Sequence, residues 1–325
     1  MTFARVLACA VVIATQTTCC GAMAQQDWPS KAIKLVIPYE AGGLADRLGR
    51  IVAERLSHDL GQQVYAENHG GSAGLIAGGI VAKAEPDGYT LMVGGTGPHV
   101  TGPLTRTSIR YDPLKDFTHI ALIGGDVFVL AVNPARGWKT LSDLAAASAA
   151  ASPPLGYGTT GLAAPTHLAM ELFLSKAKLK MSHVPYRGAG PAINDAIGNH
   201  LPVLLVTLSS LGQHIKAGTL TALAIATPSR HPAFPDIPTF AELGYRDVEG
   251  GTWFWLSGPA KLPGAVVARL NTLVRAILQR PEVRQIFAAQ GMTTRDYDVA
   301  QFQEFVERDI RHWSAVVKAL QIKPE

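Results

Sequence analysis

Pro38-Tyr39-Glu40-Ala41-Gly42-Gly43 links an apolar run, Ile33 to Ile37, to a segment with Leu48, Ile51, Val52 and Leu56 at helical spacing. A glycine pair between a strand and a helix leaves backbone N–H groups pointing out from the helix N-terminus, which attracts an anion without a cationic side chain. Gly158-Thr159-Thr160-Gly161 repeats the design, and Tyr186-Arg187-Gly188-Ala189-Gly190-Pro191 is a related version. Several neutral anion cradles in one chain point to a carboxylate receptor rather than a catalyst.

The N-terminus sets the compartment. Arg5 precedes an apolar run, Val6 to Ala14, followed by Ala22-Met23-Ala24, the layout of a secretory signal peptide cut after Ala24. The run is too short to span a bilayer. All three cysteines (Cys9, Cys19, Cys20) lie in this leader, so the mature chain is expected to carry no disulfide, thiol nucleophile or thiolate metal site. Losing Arg5 lowers the formal net charge from +4 to +3. Without a dense Lys/Arg stripe, that excess gives no support for nucleic-acid binding. No cofactor or metal is expected, and the mature chain is read as a soluble monomer.

Beyond residue 33 the pattern alternates. Strands are expected at Lys34–Ile37, Val64–Ala66, Tyr89–Val93, Ile120–Ile123, Val127–Val132, Met181–Val184, Val203–Leu208 and Ala222–Ala226. Helices are expected at Asp46–Leu60, Leu75–Ala84, Leu141–Ala150, His167–Lys176 and Pro191–Gly198, then at Pro263–Gln279, Pro281–Gln290 and Ala300–Leu320. Such alternation predicts mostly parallel sheets with crossover helices. Phe302, Phe305, Val306, Trp313, Val316 and Val317 form a stripe best read as core. Gly124–Asn133 and Gly250–Leu256 are read as crossings between two lobes, with a hinge and a cleft between them. The boundaries are 25–125 plus 250–325 for the first lobe and 126–249 for the second.

Each motif has a plainer alternative. Gly42-Gly43 can be a tight turn only, and so can Gly94-Gly95-Thr96-Gly97-Pro98-His99, which otherwise faces the same crevice. His167 and Glu171 share a helix face, but no third metal ligand stands at useful spacing. His167 is read as fixing the second loop or satisfying a buried polar group. Gly188-Ala189-Gly190 lacks the third glycine of a dinucleotide fingerprint. Gly70-Gly71-Ser72-Ala73-Gly74 matches the nucleophile-elbow pattern, leaving a secreted serine hydrolase using Ser72 as a minority alternative. Too few strands precede it for that fold.

Ordered matches along the whole mature chain resemble the Bug receptors, solute-binding components related to the tripartite tricarboxylate transporters. They include Trp28-Pro29-Ser30-Lys31, Gly42-Gly43-x-x-Asp46, Glu67-Asn68, Pro86-Asp87-Gly88-Tyr89-Thr90, Tyr111 to Phe117, His183 to Ala192, and Pro235-Asp236-Ile237-Pro238-Thr239. The resemblance implies an α/β periplasmic-binding-protein fold of the type II kind, closing on a small carboxylate held through backbone amides and water. Partners would be transporter subunits in the membrane, or a sensor kinase if the fold serves signalling.

Departures from the family pattern fall at the site. Tyr39, Glu40, Ala41 and Leu44 replace the usual Phe, Pro, Pro and Ser/Thr of the first loop, and Leu162-Ala163-Ala164-Pro165 makes the second loop more apolar. Leu201 to Thr207 lacks both aspartates of the usual segment, which argues against an amino-acid ligand whose ammonium would want a carboxylate. The expected contacts are Tyr39, Gly42, Gly43 and Thr96 from one lobe and Thr159, Thr160, Gly161 and Tyr186 from the other. Asp46 and His167 are expected to brace the loops. The ligand is expected to be a mono- or dicarboxylate with an apolar or aromatic body.

Overall fold

A computed structural model describes residues 28–322, apart from positions 40, 42, 43, 72, 73, 108, 163 and 290. The leader and Ser72 therefore lie outside the described residues. The chain runs β1 (Ile33–Ile37), α1 (Leu44–Leu60), β2 (Val64–Asn68), α2 (Leu75–Val81) and β3 (Thr90–Gly95). A π-helical turn at Gly97–Thr101 then leads into α3 (Gly102–Thr105) and β4 (Phe117–Val132). Next come α4 (Leu141–Ala150), β5 (Gly156–Thr159), α5 (Pro165–Ala177), β6 (Ser182–Pro185), α6 (Ala189–Ile197), β7 (Val203–Thr207), α7 (Leu208–Lys216) and β8 (Thr221–Ile225). The order ends with β9 (Gly251–Pro259), α8 (Gly264–Gln279), α9 (Pro281–Ala289) and α10 (Val299–Ala319). Among the described residues no helix is long and apolar enough to cross a membrane.

The strands form two mixed sheets that share β4. In the first, the order is β2-β1-β3-β9-β4, with β1 parallel to both β2 and β3. In the second, β4 pairs antiparallel with β7 and β8, and β5 runs parallel to β6 and β7. The antiparallel β9 pairing covers β4 from Phe117 to Val127; the β7 pairing covers Phe128 to Val132. One 16-residue strand thus belongs to both halves.

Both faces of the first sheet are covered, as crossover topology requires. Ile33, Leu35 and Ile37 point to the cluster under α1 and α8, while Val36 points the other way, to α2. The α10 stripe packs on the shared strand: Phe302, Phe305 and Trp313 join one cluster with Phe128 and Leu130. Its start is fixed by a capping box of Asp298 and Gln301.

Two differences from the sequence expectation concern these shared strands. Gly124-Gly125-Asp126 reads as a break but continues β4, because Gly125 lets the Trp253 ring lie against the strand; a Cβ there would stand 2.2 Å from a ring carbon. No strand was expected at Gly250–Leu256, yet β9 begins there at Gly251. A third difference is α7, which begins at Leu208 where the sequence reading still had strand.

Candidate functional site

The first loop leaves β1 and enters α1, and a knot of side chains pins its beginning. Asp46 sits in the first turn of α1, nearly sealed from solvent, where the helix dipole favours a carboxylate. Its Oδ1 accepts from Arg50 Nε at 2.9 Å and from Asn68 Nδ2 at 3.0 Å. Asn68 Nδ2 also donates to the Tyr39 carbonyl at 2.9 Å, and Asn68 Oδ1 accepts from Arg50 Nη2. The end of β2 thereby holds the exit of β1. The Tyr39 ring meets Phe254 edge-on, with centroids 6.4 Å apart. Gly42 and Gly43, like Glu40, lie outside the described residues.

The second loop follows β5 and is organised from beneath. Thr159 is fully buried and donates to the Gly161 carbonyl at 3.1 Å, so its contact with His183 Nε2 at 2.7 Å is one in which the imidazole donates. Thr160 is tied twice to Thr166: its amide donates to the Thr166 hydroxyl, and the two hydroxyls stand 2.8 Å apart. Gly161 has φ +152, a conformation that L side chains rarely adopt. Tyr186 closes the loop's flank. Its amide donates to the Thr159 carbonyl, its hydroxyl donates to Asp195 at 2.7 Å, and Gly158 gives its ring room. Burial and the Asp195 bond push the Tyr186 phenol up to about 12.

Below the loop His167, His183 and Tyr157 form a stack, with centroids 3.9 Å apart for the two imidazoles and 5.0 Å for His183 on Tyr157. Tyr157 donates to Glu171, which lies 3.8 Å from His167 Nε2. Burial lowers both imidazoles to about 4, and each is neutral at pH 7. Among the described residues the floor carries no cation, and Glu171 supplies a carboxylate to it. Helix α5 starts with Pro165 at its first turn, and no side chain caps it at Ala164.

The structure brings Thr159, Thr160, Gly161 and Tyr186 together, over His167. Tyr39 and Asp46 lie at the first loop, on the other half. Thr96, expected to touch the ligand, is fully buried at the N-cap of the π-helical turn, where its hydroxyl accepts the Trp253 amide at 3.0 Å and ties the turn to β9. Thr159, equally sealed, shapes its loop from inside. The sequence reading missed Thr166 and gave Asn68 and His183 no role. For Thr166 the available signal was a hydroxyl residue directly after a proline at a helix start. The elbow-like Gly70–Gly74 follows β2, a sheet edge paired with β1 alone among the described residues, which does not fit a hydrolase nucleophile at a sheet centre.

A mixed two-sheet α/β framework with strand-to-helix loops after β1 and β5 is the architecture of the periplasmic-binding class. The chain belongs to the tripartite tricarboxylate transporter family receptors, whose family model matches residues 48–322. It is similar to protein BugT of Bordetella pertussis, 30% identical over 319 residues that cover 98% of each chain. Among solved structures, R. palustris Rpa4515 with adipate matches at TM-score 0.83 and 32% identity, covering 92% of this chain and 100% of that one. MatC from Rhodopseudomonas palustris with bound malate matches at TM-score 0.78 and 28% identity, covering 89% and 100%. The chain is accordingly a solute receptor of the periplasmic-binding class.

Proposed function

We propose that this receptor captures a small organic carboxylate between the loops after β1 and β5, without catalysing a reaction on it. The observation that carries the reading is the chemistry of the ligands in matched relatives, adipate and malate, both dicarboxylates. The reading is supported by the second loop, where the half-buried Thr160 hydroxyl lies above two neutral imidazoles. Tyr39, Gly42, Gly43, Thr160, Gly161 and Tyr186 are assigned to ligand contact, with Asp46, Thr159 and His167 as supports. Leu162, exposed at the loop tip, favours an apolar ligand body over an amino acid.

In this reading residues 25–125 with 250–325 form one lobe and 126–249 the other, and the ligand stabilises their closed arrangement. The leader is cut after Ala24, and the mature monomer delivers its ligand to membrane transporter subunits. Thermal-shift measurement against a panel of mono- and dicarboxylates tests the reading, since a ligand that binds only the folded state raises its melting temperature. A dicarboxylate with a methylene body should give the largest rise. Aspartate or glutamate as the strongest stabiliser would refute the argument from the missing acidic residues.

A further inference from the structure

A cavity of about 700 Å³ opens where the two halves join, on the side of β4 that carries β8, β9 and α10. One wall is the segment after β8, residues 226–232; the other is α10 with residues 293–297. None of the described residues assigned to the loop site lines it. Its size is that of a small-molecule site, commonly about 300–1,000 Å³.

Several polar side chains line its wall. Thr227 Oγ1 is sealed from solvent with no hydrogen-bond partner among the described residues, and His231, Asp309 and His312 bring three more sealed polar atoms to the same wall. The Asp309 carboxyl is held by the Trp313 and Thr96 side chains and the two imidazoles by the Gly291 and Glu249 backbones, so of the four only Thr227 stands unpaired, at a cost of about 1–3 kcal/mol. Burial raises the Asp309 carboxyl to about 7, against the pull of the nearby Trp313 and Thr96 side chains, and lowers both imidazoles. Both imidazoles are thereby biased to the neutral form, and the carboxyl is held back from ionising.

The charge stands in front. The Arg295 guanidinium lies over Trp253 at 5.2 Å and over Phe305 at 5.9 Å, and Arg308 lies over Phe305 at 5.8 Å. Arg295 Nη1 also donates to the Tyr297 hydroxyl at 3.0 Å. Neither arginine has a carboxylate partner among the described residues, whereas Arg230, in the opposite wall, is held by both oxygens of Glu242. Glu249, the remaining acidic group of the lining, stands nearest His312. A guanidinium resting on a ring face still turns N–H groups at its edge toward a planar anion, and the half-buried Trp253 leaves indole surface at the cavity.

We propose that this cavity is a second binding site, for a small aromatic carboxylate whose acid group meets Arg295 and Arg308 and whose ring stacks beside Trp253 and Phe305. The site is separate from the loop pair and does not depend on it. Isothermal titration with benzoate tests it, on the wild type, on the exposed-residue variant Arg295→Gln/Arg308→Gln and on the loop variant Thr166→Val, each checked for an unchanged circular dichroism spectrum. The wild type should bind benzoate one to one with a change in tryptophan emission. The double arginine variant should weaken binding at least tenfold, and the loop variant should leave it within twofold. No benzoate binding, or equal binding by the arginine variant, overturns the proposal. Loss of benzoate in the loop variant alone places it between the loops, which sinks this site and upholds the first. If instead benzoate needs the arginines and no carboxylate responds to Thr166→Val, this site stands and the loop reading falls.

Discussion

Thr166 shows how one hydroxyl can set the shape of an anion site. It accepts the Thr160 amide and meets the Thr160 hydroxyl, so removing it frees the loop at its middle and turns a part-buried amide over to water. Thr166→Val should weaken carboxylate binding about tenfold, a loss of ~1.4 kcal/mol, with little change in melting temperature. Titration calorimetry with the best stabiliser reads both the wild type and the variant. The neighbouring Arg187 separates two ways of holding the acid. It is exposed, beside Tyr186, and a grip made of backbone dipoles does not need it. Arg187→Ala should keep the Kd within twofold; a hundredfold rise would show that a guanidinium neutralises the ligand.

At the scale of elements, α7 is capped from outside its own sequence. Its N-cap Thr207 makes no side-chain capping bond, and the Ser209 amide and hydroxyl donate instead to Asp126, a fully buried residue of β4. Burial raises the Asp126 carboxyl to about 6, despite these bonds. A carboxyl with a folded value above its ordinary one near 3.8 favours the folded state most below that value, and the advantage is lost as pH rises through about 6. Asp126→Asn should therefore gain on the wild type between pH 4 and pH 7, by something of the order of 3 kcal/mol at most. Urea unfolding at the two pH values checks the sign. A variant that loses ground over that interval would contradict it.

The same scale explains what the sequence made legible. The βα alternation stood out wherever apolar runs were long, as in β1, β3 and β7, and α4 falls on the expected residues 141–150. Strand β5 was missed because Gly156 and Gly158 make up half of it, and glycine carries no strand preference; burial between β6 and β7 creates it. Trp253-Phe254-Trp255 was a strand signal hidden by the glycine pair before it. The loop at Thr159–Gly161 was readable from glycine and hydroxyl spacing. Its supports were not, because His183 and Thr166 reach it only through the packing of β6 and α5. Thr96 misled for the opposite reason: a glycine-rich loop after a strand looks open, yet the π-helical turn folds it into the core.

At the scale of the whole molecule, β4 ties the halves into one cooperative unit. Its residues from Phe117 to Val127 pair with β9 and those from Phe128 onward pair with β7 and β8, so neither sheet keeps its inner strand if the other melts. Calorimetry of the unliganded protein should give a single transition, whereas two resolved transitions would show that the halves unfold separately. Gly125→Ala should lower that transition, because the Trp253 ring occupies the space of the new methyl group.

The continuity of β4 also bears on the closure proposed above. No slack loop joins the halves along this strand, so any parting of the loops has to be absorbed as added twist spread over many peptide units. Such a connection behaves as a torsion spring: it stores energy in proportion to the square of the displacement and returns the halves along one path. Release of cargo then becomes a contest between that restoring force and the grip of the ligand.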